Sequence, residues 1–145
     1  MTTTREPIVG RFSVDVALAN QEDLLDAKAG RISPSQVRRV IVRGVVDSGA
    51  TRLVIPAPVA QQLGLEISGT AKVRYADGRT AERPVARLVN LSYAGRESTF
   101  NAIVEPDRDS ALIGAIVMED LDLVIDCTTQ RLVPRDPKQI ISEIE

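Results

Sequence analysis

Apolar and polar residues alternate at the start of the chain, with Phe12, Val14, Val16 and Leu18 on one side and Ser13, Asp15 and Ala17 on the other. A period of two is the mark of a strand with one buried face. Asn20, with Asp23 three positions on and Gly30 as a stop, predicts a short capped helix over 21–29, and Ser33-Pro34-Ser35 predicts a turn. Residues 20–36 therefore read as an insertion between two strands. From Val37 to Val46 β-branched residues return and end in the apolar pair Val45-Val46, which places Asp47 at the inner end of a strand. Leu53-Val54-Ile55 is apolar, and Pro56 opens a short helix that Gly64 stops. Residues 71–83 alternate about Ala76-Asp77-Gly78-Arg79, whose Asp-Gly pair signals a hairpin turn. Residues 85–92 and 98–105 predict two further strands around Ala94-Gly95, followed by a polar loop at 106–109. Leu112-Ile113-Gly114 is a short apolar strand closed by glycine, Ile116, Val117 and Leu121 have helical spacing, and 123–125 and 131–133 predict a last strand pair. Many short strands with one or two short helices predict an all-β fold, a small closed β-barrel, in a single domain over 1–145.

Composition narrows the chemistry. A chain of 145 residues with 43% hydrophobic content can bury a core without disulfides or metal. The formal charge of −2 is spread along the chain, with no basic stripe for phosphate backbones, so nucleic acid is not expected as a partner. No apolar run predicts a leader or a membrane span, and a lone Cys127, read as a small apolar residue near a turn, suits a reducing compartment. The expected location is cytoplasmic, without a membrane partner. Histidine is absent, which removes Ser-His-Asp and Cys-His catalysis and imidazole zinc sites. No cofactor and no metal are expected, and any chemistry falls to carboxylates.

The candidate is Val45-Val46-Asp47-Ser48-Gly49-Ala50-Thr51, an acid delivered by an apolar strand into a turn of small residues. Asp-Ser-Gly by itself is also a common surface turn. The run of buried-type residues before it and Ala50 after it predict a carboxylate with few solvating neighbours.

In these residues the chain resembles the retropepsin-like aspartic proteases, the single-domain family of the retroviral enzymes and their bacterial relatives. Asp47-Ser48-Gly49-Ala50 stands where that family has Asp-Thr/Ser-Gly-Ala, and Leu112-Ile113-Gly114 where it has two apolar residues and a glycine before the C-terminal helix. Between them, the hairpin around 76–79 occupies the position of the family's flap, and 121–133 is similar to the strand pair that closes bacterial members. The resemblance implies an aspartic endopeptidase of the retroviral barrel type, active as a homodimer on a polypeptide substrate. Asp47 from each subunit would be catalytic. Ser48, Gly49, Ala50, Thr51, Ile113 and Gly114 would support it, and Tyr75, Ala76, Asp77 and Gly78 would form the flap over the substrate. Such an enzyme needs two carboxylates about 3 Å apart sharing one proton, and a two-fold axis supplies the second from an identical chain. Ala50 cannot donate a hydroxyl to the carboxylate, so activity is expected to peak nearer neutral pH than in the gastric enzymes. Two departures stand out: Ala115-Ile116 follows the second glycine where retroviral members often carry Arg, and the flap tip holds a single glycine. The alternatives are a catalytically silent dimerisation or peptide-binding module on the same fold, and a plain barrel in which Asp47 caps a turn.

Overall fold

The computed structural model describes residues 11–145, and within them strands dominate. In chain order they form β1 (Arg11–Asn20), α1 (Gln21–Lys28), a 3-10 turn (Pro34–Gln36), β2 (Arg39–Asp47), β3 (Leu53–Pro56), α2 (Ala57–Gln62), β4 (Ile67–Arg74), β5 (Thr80–Tyr93), β6 (Arg96–Glu105), β7 (Ala111–Ile113), α3 (Ala115–Asp120), β8 (Leu123–Asp126) and β9 (Arg131–Pro134). The sheet runs β1-β2-β7-β3-β6-β5-β4, and β5 also pairs with β1, so six strands close into a barrel and β4 stands outside the ring. Closure rests on the antiparallel register of Ala17, Leu18, Ala19 and Asn20 with Ser92, Leu91, Asn90 and Val89. A closed ring leaves no unpaired edge among its members. The fold is thus the all-β barrel of retroviral protease type expected from the sequence, with three short α-helices among the described residues.

Alternation fills the barrel. Val16 and Leu18 of β1, Val46 of β2, Leu53 and Ile55 of β3, and Ile113 of β7 are all essentially inaccessible to solvent. Each such side chain contributes about 2 kcal/mol by leaving water. Leu123 and Leu132 bring the separate β8–β9 ribbon onto the same core. Cys127, in the turn of that ribbon, is exposed.

The sequence pattern divides the return limb of the hairpin from the next strand near Pro84, whereas β5 runs unbroken through both. Pro84 pairs with Thr70 in the outer ladder, and the strand changes partner further on, at a bulge between Ala86 and Val89 where Leu88 has φ 59°. A bulge adds one residue and bends the strand without ending it. One strand therefore serves both the barrel and the projecting hairpin.

Residues 20–36 leave the barrel as α1 and the 3-10 turn, and two polar groups pin them. The Asn20 side chain caps α1 by accepting from Asp23 N at 3.0 Å, while its Nδ2 donates to Leu63 O at 2.9 Å. The carboxylate of Asp23, 7% exposed as a residue, accepts from Arg38 N at 3.0 Å, Arg38 Nε at 2.8 Å and Arg38 Nη2 at 3.0 Å. The Arg38 hydrogen bond holds the Asp23 carboxyl below its ordinary value, against the opposing effect of burial. A depressed carboxyl adds stability that is complete above its unfolded-state value and is lost as pH falls through the lower folded-state value. Asp23→Ala is therefore expected to cost about 1–2 kcal/mol in urea unfolding at neutral pH. The gap to wild type should narrow as pH drops below about 4.

Candidate active site

β7 lies between β2 and β3, parallel to the first at Val46↔Ile113 and antiparallel to the second at Val54↔Leu112. The connection 48–52 must therefore pass over the end of β7, and Gly114 is the crossing point. A Cβ there would stand 2.5 Å from Arg52 O, 2.6 Å from Thr51 C and 2.8 Å from Arg52 N. Only glycine permits so close a backbone approach. The first amides of α3 then bind the loop, Ala115 N donating to Ala50 O at 2.8 Å and Ile116 N to Thr51 O at 2.9 Å. Ile113, 1% exposed, anchors this arrangement in the core.

Asp47 ends β2. Its Oδ1 accepts from Gly49 N at 2.9 Å, and its main-chain oxygen accepts from Ala50 N at 3.1 Å, closing a tight turn over 47–50. A Cβ on residue 49 would lie 3.3 Å from Asp47 Oδ1, so Gly49 lets the chain fold back on the carboxylate. The expectation of a carboxylate with few solvating neighbours is not met in the single chain: Asp47 is half-buried, and Ser48, Gly49 and Thr51 are exposed. The pleat gives the reason, since Val46 points into the core and the next side chain points the opposite way.

Beside this loop lies a cleft of about 590 Å³. Gly49, Ala50, Thr51 and Arg52 form one side, and Val73, Arg74, Tyr75 and Arg79 of the β4–β5 hairpin form the cover. Val54, Ile103 and Leu112 supply an apolar wall. The hairpin turns where it was expected: Gly78 N donates to Tyr75 O at 2.9 Å and Gly78 has φ 89°. Tyr75 lines the cleft. Ala76, Asp77 and Gly78 form the exposed tip outside its lining, where Asp77 accepts from Arg79 Nε at 2.7 Å.

The cover is fastened to the barrel. Tyr75 Oη donates to Glu105 Oε2 at 2.6 Å, and Arg83 Nε donates to Tyr75 Oη at 2.8 Å and to Glu105 Oε1 at 3.1 Å. Glu105 is 9% exposed, and these partners satisfy both of its carboxylate oxygens. Its hydrogen bond raises the phenol of Tyr75 above the ordinary value, and burial adds to this, while Arg83 opposes it. Glu105, Arg83 and Arg108 line the cleft and were not singled out from the sequence; Arg83 lies on β5, Glu105 and Arg108 lie at and just beyond the end of β6, and they share no local pattern. Among the described residues, no group of three or more His, Cys, Asp or Glu could hold a metal ion.

A family model described as "gag-polyprotein putative aspartyl protease" matches residues 33–120, from the 3-10 turn to the end of α3. Among solved structures, the EIAV protease complexed with the inhibitor HBY-793 is similar at a TM-score of 0.56 and 14% identity, over 81% of this chain and 94% of that one. A retropepsin-like aspartic protease from Rickettsia conorii gives a TM-score of 0.47 and 17% identity, over 86% of this chain and 80% of that one. The retroviral protease-like domain of Ddi1 from Leishmania major gives 0.44 and 21% identity, over 66% of this chain and 84% of that one. Comparison with curated proteins finds no match. The family match spans more than half of the chain and includes both the Asp47 loop and the Gly114 crossing, and the viral enzyme shares the barrel. The chain therefore belongs to the gag-polyprotein aspartyl protease family.

Proposed function

We propose that the protein is an aspartic endopeptidase that works as a homodimer, with Asp47 of each subunit supplying one of two catalytic carboxylates. The observation that carries this reading is the placement of Asp47. It ends a core strand, in a loop tied down by Gly114 and the α3 amides, whose next residues line a cleft covered by a hairpin. A single chain puts one carboxylate there, and an isologous pair puts two at a common axis. Like charges so close cannot both ionise, so the pair holds one proton between them. The ionised member takes a proton from water as the water oxygen bonds to the scissile carbonyl carbon, and the protonated member gives its proton to the carbonyl oxygen. Collapse of the tetrahedral adduct breaks the C–N bond, and a proton passes to the departing nitrogen.

Supporting roles follow from position. Ser48, exposed on the same turn, would meet the same loop of a partner subunit in such a dimer, and Gly49 N orients the Asp47 carboxylate from within its own chain. The hairpin cover would hold an extended peptide through main-chain pairing, leaving side-chain pockets to set specificity. Cleavage of a peptide library at rising enzyme concentration tests the reading. A specific rate that climbs with concentration is the expected result, and a folded dimer that cuts nothing would make the protein a peptide-binding module instead.

A further inference from the structure

The lining of the cleft is strongly unbalanced in charge. Five arginines face it, Arg52, Arg74, Arg79, Arg83 and Arg108, against the two carboxylates of Glu105 and Asp107. The whole chain carries a formal charge of −2, so this local excess does not follow from composition. Two of the five are already matched, Arg83 by Glu105 at 3.1 Å and Arg79 by Asp77 at 2.7 Å. Among the described residues, no carboxylate lies within ion-pair distance of Arg52, Arg74 or Arg108.

Arg108 differs from the other two because it is half-buried and fixed. Its Nε donates to Ser110 O at 2.9 Å, and its Nη2 donates to Ser110 Oγ at 3.1 Å and to Ala111 O at 3.4 Å. All three acceptors are neutral, so the guanidinium is oriented without losing its charge. Ser110 and Ala111 are themselves buried, which gives it a firm platform. The Nη1 hydrogens take no part in these bonds and remain for a ligand. A guanidinium held this way loses little side-chain entropy when it binds a carboxylate. Arg52 and Arg74, both exposed, add attraction at the margin of the cleft.

We propose that the cleft selects peptide segments carrying acidic side chains, with Arg108 as the carboxylate anchor and Arg52 and Arg74 as flanking attraction, the apolar wall taking neighbouring aliphatic residues. The inference rests on the reading of this cleft as the peptide site. It is tested with pairs of peptides identical except that Asp and Glu in one are Asn and Gln in the other. The acidic member is expected to be cleaved with kcat/KM about tenfold higher, the difference lying in KM and shrinking as salt is raised. Arg108→Gln should bring the pair to within about threefold, again through KM. Arg74→Gln, which removes an exposed charge without touching the 108–111 loop, serves where the first variant folds poorly, and should reduce the preference about twofold. Equal cleavage of both members by wild type would overturn the inference and leave the protease reading standing. If no peptide is cut, fluorescence anisotropy on the same pairs decides: tighter binding of the acidic member would support the cleft's selectivity while ending the protease reading, and no binding of either would overturn both.

Discussion

Asp47→Asn is expected to lower kcat for peptide hydrolysis by about a thousandfold or more while leaving the melting temperature close to that of wild type. Asparagine keeps the shape of the side chain and an oxygen to accept from Gly49 N, so the turn over 47–50 has no reason to open. What it lacks is the ability to take a proton from water or to hold one for the carbonyl oxygen. In a homodimer one substitution removes both acids, so little activity should remain. The experiment pairs chromatographic assay of peptide products with circular dichroism on the same samples. Substantial activity in the variant would move the chemistry away from Asp47 to the cleft beside it, whose lining carboxylates are Glu105, engaged by Tyr75 and Arg83, and Asp107.

Gly114→Ala is expected to be the most destabilising single change in the loop region, at about 3 kcal/mol or more. The added methyl would meet main-chain atoms of Thr51 and Arg52, which cannot rotate away as a side chain can. Relief requires moving 50–52 off the end of β7, which would also stretch the bonds from Ala115 N to Ala50 O and from Ile116 N to Thr51 O. The same shift would displace Asp47, which is joined to that loop through Gly49 and Ala50. Thermal melting should therefore fall by about 10 °C, and activity should fall further than the loss of folded protein explains. By contrast, Gly95, with φ 78° and open space around it, is at a surface turn where an alanine would strain only the local backbone. A Gly114→Ala variant as stable as wild type would mean that the loop does not pass over β7 as closely as this geometry requires.

The two halves of the site were legible to different degrees. The Asp47 turn and the hairpin of β4 and β5 are written in adjacent residues, an apolar strand running into Asp-Ser-Gly in one case and alternation about Asp-Gly in the other. The insertion of β7 between β2 and β3 pairs residues distant in sequence, as in Val46 with Ile113 and Val54 with Leu112. No local period encodes it, and it was reachable only through the resemblance carried by Leu112-Ile113-Gly114. The half-exposure of Asp47 in the single chain was not legible, because a run of apolar residues reports the burial of a strand and not the side to which its last member points. The charged lining was invisible for a further reason. Arg52, Arg74, Arg83 and Arg108 sit on four different segments, and an arginine on a mostly polar stretch is usually a solvated one. Arg74 and Arg83 share the β4–β5 hairpin, and only the folding of that hairpin over the barrel brings them around one space with Arg52 and Arg108.

The central claim is that two chains each contribute Asp47 to one site, and subunit mixing tests it most directly. Wild-type enzyme at fixed concentration is titrated with Asp47→Asn protein after exchange of subunits, and the rate of peptide cleavage is followed. If the site is shared, one added equivalent leaves half of the wild-type chains in mixed, inactive dimers, so the rate should fall to about half and continue downward with each further equivalent. A rate indifferent to the added variant, under conditions where exchange is shown to occur, would mean that each chain cleaves with its own carboxylates and would contradict the account.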